Sequence, residues 1–259
     1  MIFDSHAHYD DEKFNEDRES ILSSMQENNI GTIVNVGADI LSSKSTLKLA
    51  EEYPFIYAAI GVHPSDVDCL NEESFDWLKE HLKGEKVVAL GEIGLDYYWE
   101  KDEERKENQR KWFREQFMLA KKEEMPIIIH SRDAAQDTFE MMKEMGAEDT
   151  IGVVHCYSYS PELAKEFVKM GYYIGVGGVV TFKNAKKLKE TVEKVPMEKI
   201  LLETDCPYLA PEPNRGKRNS SLNLPYVVAE IAKIRNMKEE DVIAITEENA
   251  KRMYFERKK

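Results

Sequence analysis

The sequence predicts a single α/β domain with the (β/α)8 barrel fold, the TIM-barrel class, over residues 1–259. A chain of 259 residues suits one barrel of ordinary size. Apolar, β-rich runs alternate with amphipathic helical stretches along the whole length, which is the pattern of βα units around a parallel sheet. No linker, low-complexity tract or internal repeat divides the chain, so we expect one domain.

Eight apolar runs are the predicted strands, and eight parallel strands can close into a barrel whose interior is filled by side chains. The first strand is MIFDSHAH at the N-terminus. The others are GTIVNVGA (31–38), FIYAAIGVH (55–63), KVVALGEIGLD (86–96), PIIIHS (126–131), IGVVHCY (151–157), YYIGVGG (172–178) and KILLETD (199–205).

Helical patterns lie between the predicted strands. One runs from Leu41 to Tyr53, and a charge-rich one runs from about Glu103 to Glu124 with apolar residues on one face. The segment APEPNRGKRNSSLNLP (210–225) is instead predicted to be a long loop, because two prolines and a glycine preclude a regular helix in its first half. Loops of this length in compact domains are usually functional.

Composition and charge restrict the class of protein. No apolar run approaches the ~20 residues that span a bilayer, and the N-terminus lacks the pattern of a signal peptide, so we expect a cytoplasmic protein that does not bind membranes. The net charge of −13 excludes the long basic surface of broad nucleic-acid binders, but not an enzyme that contacts a few phosphates. Three cysteines without paired spacing argue against disulfides, and we expect Cys156 and Cys206 to be packing residues.

Histidines and carboxylates recur at the C-terminal ends of the predicted strands, which open on one face of a parallel barrel. The residues at these ends are His6, His8, His63, Glu92, His130, His155 and Asp205. Of the six histidines, only His81 lies in a helical pattern instead. Burying several ionisable groups without partners costs several kcal/mol each. A bound cation removes that cost, so the pattern favours a metal site over a hydrogen-bonded structural network.

The motif His6-Ala7-His8 is specific in its own right. Residues i and i+2 on a strand point to the same side, so both imidazoles can reach one ion. Asp205 lies at the end of the predicted eighth strand, which neighbours the first strand in a closed barrel. Imidazole and carboxylate ligands without thiolate suit Zn, Mn, Fe, Ni or Co, and Mg when water supplies further oxygen ligands.

A series of motifs, taken in order, resembles the TatD-type deoxyribonucleases of the amidohydrolase superfamily. The motifs are HAH (6–8), GVHP (61–64), GEIGLDYYW (91–99), HSRDA (130–134), HCYS (155–158), ETDCPYLAP (203–211) and RGKRN (215–219). The resemblance covers nearly the whole chain. It implies two divalent metal ions per subunit, Mg, Mn or Zn, with one ion held by His6, His8 and Asp205 and the other by His130 and His155.

The resemblance also implies that Glu92 bridges both ions and that His63 binds a substrate phosphate or a water. We expect Asp205 to take the proton from the nucleophile, although a role as a ligand alone is equally open. Glu203 lies two residues earlier on the same predicted strand, and we expect it to act in catalysis by orienting a ligand or a water. The alternative for Glu203 is a buried structural carboxylate.

DNA is the substrate that the resemblance implies. Arg215 and Arg218 lie in the long loop, and their guanidinium groups match phosphate oxygens, so we expect them to bind substrate rather than to be surface charges. The sequence gives no preference for Arg132 or Lys217. The run Tyr97-Tyr98-Trp99 can either stack on bases or pack under the next helix, and the sequence does not decide between these.

The leading hypothesis is a metal-dependent deoxyribonuclease, similar to a 3′–5′ exonuclease, that cleaves phosphodiester bonds with a water activated by two metal ions. The alternative enzyme is a small-molecule amidohydrolase, phosphoesterase or lactonase that uses the same site, because the fold alone cannot decide the substrate. A binding protein that keeps the metal site without catalysis is a third hypothesis, and the intact ligand set argues against it. We infer no obligate protein partner.

The motif RGKRN continues here as SSLNLP, where relatives commonly have EP. This departure puts the shape of the substrate pocket in doubt.

Overall fold

Eight parallel strands form one sheet in the computed structural model, which describes residues 1–256. Each strand pairs with the next one along the chain, from β1 to β8. The strands are β1 (Ile2–Ala7), β2 (Ile30–Val36), β3 (Ile56–Ile60), β4 (Val87–Asp96), β5 (Ile127–Arg132), β6 (Gly152–Val154), β7 (Tyr173–Val176) and β8 (Ile200–Leu202).

The sheet curves round until its first strand meets the chain just beyond β8. Ala7 forms a parallel bridge with Cys206. The amide of Asp205 donates to the carbonyl of His6 at 2.9 Å, and the amide of His8 donates to the carbonyl of Cys206 at 2.8 Å. These contacts bring the barrel close to full closure and confirm the predicted single-domain (β/α)8 fold. The end of the predicted domain, residues 257–259, lies outside the described residues.

Helices cover the outside of the barrel. They are α1 (Arg18–Ser23), α2 (Ile40–Glu52), α3 (Glu72–His81), α4 (Glu103–Lys122), α5 (Ala135–Glu144), α6 (Pro161–Lys169), α7 (Lys186–Lys194), α8 (Leu224–Arg235) and α9 (Glu239–Tyr254). Within residues 1–256, none of these helices has the length and apolar character needed to cross a bilayer.

Local sequence signals explain where the long helices begin. Asp39 and Ser42 form a capping box at the start of α2, which satisfies amides that have no partner inside the helix. The Asp102 side chain accepts hydrogen bonds from the first amides of α4. The predicted limits of these two helices therefore agree with the structure to within two residues.

Helix α9 follows α8 directly, without a strand between them, and closes the barrel at the end opposite the histidines. Its residues Ala250, Met253 and Tyr254 pack in one apolar cluster with residues from the strands, including Phe3 of β1. The Tyr254 hydroxyl donates to the carbonyl of Ser5 at 2.9 Å. This plug of apolar side chains leaves the C-terminal strand ends as the open face.

Several predicted strands extended too far toward the open face. The structure ends β3 at Ile60 rather than at His63, and β8 at Leu202 rather than at Asp205. Cys156 and Asp205 have positive φ angles of 44° and 55°, so the chain has already turned out of the extended conformation there. The predicted loop over 210–225 is confirmed as mostly irregular, but α8 begins at Leu224.

Candidate metal centre

The predicted metal ligands meet at the open end of the barrel, around a cavity of about 940 Å³. Those that line the cavity are His8, Glu92, His130, His155 and Asp205, and His63 lines it as well. His6 is fully buried directly beside them. Residues from β1, β4 and β5 and from the turns after β3, β6 and β8 therefore come together, as expected for parallel strands that end on one face.

His6, His8 and Asp205 form the first group of donor atoms. The two Nε2 atoms of the histidines lie 3.1 Å apart. Asp205 Oδ1 lies 3.4 Å from His8 Nε2 and 3.8 Å from His6 Nε2. Ligand atoms bound to one ion at ~2.1 Å lie roughly 3.0–3.5 Å from one another, so two of these spacings suit one cation and the spacing of 3.8 Å between His6 and Asp205 is slightly longer.

His130 and His155 form the second group, together with one oxygen of Glu92. Glu92 Oε1 lies 2.5 Å from His130 Nδ1 and 2.6 Å from His155 Nε2, and the two ring nitrogens are 3.3 Å apart. The other oxygen, Oε2, lies 3.4 Å from His6 Nε2 in the first group. Glu92 therefore stands between the two groups, with one oxygen near each.

Close packing of β4 against β5 holds Glu92 beside His130. Gly94 has a φ of 149°, and a Cβ atom built there would lie 1.9 Å from the carbonyl oxygen of His130. Only glycine lets the two backbones approach this closely. Every residue of β4 is buried, so the Glu92 side chain leaves a rigid strand.

The chemistry of these donors fits divalent cations. The Nε2 atoms of His6 and His8 face each other at 3.1 Å and can share only one proton, so at least one lone pair points into the first group of donor atoms. Burial and the charge of His155 lower the pKa of His6 to about 4, so its ring is neutral and keeps a free lone pair. A bound cation would use such lone pairs and neutralise the buried carboxylates.

Hydrogen bonds on the far side of two rings fix which nitrogen faces the cavity. His8 Nδ1 lies 2.7 Å from the carbonyl of Val36, so Nδ1 carries the proton and Nε2 is free to bind a cation. His130 Nε2 lies 3.3 Å from Asp96 Oδ2, which leaves Nδ1 facing Glu92. Without a cation, burial lowers the pKa of His8, but the hydrogen bond and charge of Asp205 raise it more, to about 9.

His63 also lies within reach of Glu92 and His130, but its tautomer suits a different task. Its Nδ1 accepts a hydrogen bond from the Ser65 amide at 3.1 Å. Burial and the charge of His130 lower the pKa of His63 to about 3, so the ring is neutral and its proton is on Nε2. In this tautomer the Nε2–H, 3.8 Å from Glu92 Oε1, is placed to donate a hydrogen bond.

Glu203 lies behind the second group of ligands. Its Oε1 accepts from the amide of Cys156 at 2.5 Å, and its Oε2 is buried with no partner among the described residues. The carboxylate occupies space above Gly175, where a Cβ would approach it to 2.3 Å. Burial raises the pKa of Glu203 to about 8. Through Cys156, Glu203 holds the turn that follows His155, which agrees with an orienting role.

Two buried carboxylates were missed in the sequence. Asp4 accepts from the Ser221 hydroxyl at 2.6 Å, from the Thr204 hydroxyl at 2.7 Å and from the His6 amide at 3.3 Å. Asp96 faces His130. Their spacing from the ligands could have revealed them. Asp4 precedes His6 by two residues, and Asp96 ends β4 four residues after Glu92, and an even spacing on a strand places side chains on the same side.

The structure does not bring the loop arginines together with the metal ligands. Arg218 forms a bidentate ion pair with Asp17, at 2.8 and 2.5 Å, and lies over the ring of Phe14. Arg215 lies over the ring of Phe182, 4.2 Å from its centroid. Neither arginine lines the cavity, so their predicted role in substrate binding stays a prediction.

Cys156 is partly buried and lines the cavity beside the ligands, so its predicted role as a packing residue stays a prediction. Burial raises the pKa of Cys156 well above its ordinary value, and the nearby charge of Asp205 raises it further, so the thiol is protonated rather than a nucleophilic thiolate. Cys206 is fully buried in the apolar core.

Comparisons with known proteins identify the family. Residues 3–255 match the family model described as TatD related DNase. The chain is 46% identical over 254 residues to the metal-dependent hydrolase YabD of Bacillus subtilis (strain 168), covering 98% of this chain and 99% of that protein. It is 31% identical over 257 residues to the metal-dependent hydrolase YcfH of Escherichia coli (strain K12), covering 98% and 96%.

A solved structure supports the same assignment. The crystal structure of YJJV, a TatD homologue from Escherichia coli K12, superimposes with a TM-score of 0.91 at 32% identity, covering 98% of this chain and 97% of that one. A TatD family hydrolase from Entamoeba histolytica gives a TM-score of 0.85 at 25% identity, covering 98% of both chains. With its His, Glu and Asp side chains placed to bind metal, this chain belongs to the TatD-related DNase family and is a metal-dependent hydrolase.

Proposed function

We propose that this hydrolase is a deoxyribonuclease that cleaves phosphodiester bonds of DNA, similar to a 3′–5′ exonuclease, with two divalent cations, Mg, Mn or Zn. The observation that carries the proposal is the position of Glu92, with Oε1 near His130 and His155 and Oε2 near His6. Two groups of ligands joined by one carboxylate suit a pair of neighbouring cations, and such pairs serve phosphodiester hydrolysis.

Each group of donor atoms would hold one cation. His6, His8 and Asp205 would hold the first, and His130 and His155 would hold the second, with Glu92 shared. Cations held by these residues would supply a water of lowered pKa and positive charge close to the phosphate oxygens.

The chain's own residues handle the proton and the phosphate. Asp205 lines the cavity, and its pKa is lowered because the hydrogen bond from His8 and the nearby histidine charges outweigh the effect of burial. It is therefore ionised and able to accept a proton from the attacking water. The Nε2–H of His63 donates to a phosphate oxygen. Glu203 keeps the turn after His155 in place.

A second candidate function, hydrolysis of a small ester, lactone, amide or phosphoester, has one observation in its favour. The rim of the cavity is acidic and would repel a long polyanion. Carboxylates that line it beyond the metal ligands are Asp10, Asp11, Glu12, Asp39, Asp66 and Asp96. Bound cations offset part of this charge, which is why DNA remains the leading substrate.

Degradation of end-labelled single-stranded DNA tests the proposal. Metal-free protein is resupplied with Mg, Mn or Zn, and an Asp205→Asn variant runs alongside to exclude a contaminating nuclease. We expect cleavage to return with metal, to produce a ladder shortened from the 3′ end and to be lost in the variant. No cleavage with any metal, together with hydrolysis of small esters or lactones, would replace the nuclease by the second candidate.

A further inference from the structure

The loop between β4 and α4 presents two aromatic rings to solvent beside the cavity. Trp99 is 71% exposed and Tyr98 is 43% exposed, and their rings meet edge to face with centroids 4.5 Å apart. Trp99 lines the same cavity as the metal ligands. Tyr97 is not part of this exposed pair, because its hydroxyl donates a hydrogen bond to Asp137 of α5 at 2.9 Å. Two exposed rings that lie together beside the cavity form a larger apolar surface than a singly exposed side chain, and such surfaces are typical of binding sites.

Arg132 completes this surface. Its guanidinium carbon lies 4.0 Å from the centroid of Tyr98 and 5.7 Å from that of Trp99. Arg132 is the only lysine or arginine among the described residues that line the cavity. Within residues 1–256 its guanidinium makes no ion pair, whereas Arg218 is bound to Asp17. A stacked guanidinium without an acidic partner is available to bind a phosphate.

The aromatic loop is joined to the metal ligands by a short series of contacts. Asp96 Oδ1 accepts from the Tyr98 amide at 2.9 Å, and Asp96 Oδ2 lies 3.3 Å from His130 Nε2. The Tyr97 amide donates to the carbonyl of Arg132 at 2.8 Å, which pairs the end of β4 with the end of β5. The position of the rings relative to His130 is therefore fixed by the barrel.

We propose that Trp99, Tyr98 and Arg132 form a nucleobase subsite, in which an unpaired base of the substrate stacks on Trp99 while Arg132 binds the phosphate attached to that nucleotide. The inference rests on the proposed nuclease function and deepens it. A base within a duplex is covered on both faces by its neighbours, so a stacking subsite selects single strands and frayed ends. One cationic side chain also lets the anionic strand enter a cavity whose rim is otherwise acidic.

Binding of two probes in the Asp205→Asn background, where hydrolysis is suppressed, tests the subsite. One probe is a short fluorescently labelled oligothymidylate. The other is an oligomer of equal length in which tetrahydrofuran spacers replace every nucleoside, so that phosphates remain and bases are absent. Adding Trp99→Ala should raise the Kd for the oligothymidylate by about 5- to 150-fold and leave the Kd for the spacer oligomer unchanged. Because Trp99 is exposed, its loss should not impair folding.

Tyr226→Ala is the matched control, since Tyr226 is 43% exposed on α8 and does not line the cavity. It should leave both Kd values unchanged. Equal oligothymidylate binding with and without Trp99 overturns the subsite, and so does an equal loss for both probes. If wild-type protein cleaves DNA in either of these cases, the nuclease proposal survives without the subsite. Failure of the protein to bind or cleave single-stranded DNA overturns both.

Discussion

Glu92 Oε1 lies 2.6 Å from His155 Nε2 while Glu92 Oε2 lies 3.4 Å from His6 Nε2, so one carboxylate reaches both groups of metal ligands. His6 belongs to the first strand and His155 follows the sixth, and Glu92 comes from the fourth. A side chain from one strand thus reaches ligands that come from two other parts of the barrel. We expect the two-cation centre to depend on this contact.

Asp4 is expected to support the first group of ligands from below. Replacing it by asparagine (Asp4→Asn) turns an oxygen that accepts from Thr204 and Ser221 into a donor. Thr204 then keeps the carbonyl of His6 and Ser221 keeps the hydroxyl of Tyr9 as partners, and the loss of their hydrogen bonds to Asp4 should lower the free energy of unfolding by about 1–3 kcal/mol. Urea unfolding of the metal-free protein measures this. Asp76→Asn, on the exposed surface of α3, is the control and should change stability by less than about 0.5 kcal/mol.

An unchanged unfolding midpoint for Asp4→Asn would contradict the account of Asp4. We also expect the metal affinity of Asp4→Asn to fall by about 10- to 100-fold, as is usual when a partner that orients a ligand is lost. Retained metal affinity with lowered stability would restrict Asp4 to a purely structural role.

His63 is expected to act on the substrate and not on the metal. His63→Ala should leave the metal content unchanged and lower kcat/KM for DNA by about 10- to 150-fold, the effect of one hydrogen bond to a charged group. Metal analysis and steady-state kinetics on the same preparation test this. His81→Ala is the control, because His81 ends α3 and stacks on Trp77 away from the cavity. A loss of bound metal in His63→Ala would make His63 a ligand instead.

Arg132 and Arg218 are the two candidates for the side chain that binds a substrate phosphate. Arg132 lines the cavity without an ion pair among residues 1–256, whereas Arg218 would have to leave Asp17 before it could bind a phosphate. We expect Arg132→Ala to raise the KM for single-stranded DNA by about tenfold or more, the effect of one charge-assisted hydrogen bond, and Arg218→Ala to raise it less. KM values for one oligonucleotide compare the variants. A larger effect of Arg218→Ala would show that the loop moves onto the substrate.

The fold and the convergence of the ligands followed from the sequence, because both depend on a repeated local pattern. Apolar runs separated by helical stretches specify parallel strands, and the ends of parallel strands share one face. Each metal ligand could therefore be placed on the open face of the barrel, because it lies at the C-terminal end of an apolar run. The exact ends of β3 and β8 could not be placed in this way. After β8 the chain turns with a positive φ at Asp205, and no glycine marks that turn in the sequence.

Contacts between segments that are far apart along the chain could not be predicted from the sequence. Asp4 is bound by Ser221, 217 residues further along the chain, and Arg218 is paired with Asp17, 201 residues before it. No local pattern specifies such pairs, because they arise only when the loop after β8 folds over the start of the chain. For the same reason the ion pair of Arg218 with Asp17 could not be predicted, and Arg218 was expected to be free to bind substrate.

The most direct test of the account is a count of the ions that Glu92 joins. Metal-free protein is titrated with Mn²⁺, and bound ions are counted while electron paramagnetic resonance detects whether neighbouring ions are magnetically coupled. We expect the wild type to bind two magnetically coupled Mn²⁺ ions per chain. We expect Glu92→Ala to bind at most one ion, without coupling. Glu80→Ala, on the exposed surface of α3, should match the wild type. A single ion in the wild type, or a coupled pair that survives the loss of Glu92, would contradict the two-cation centre.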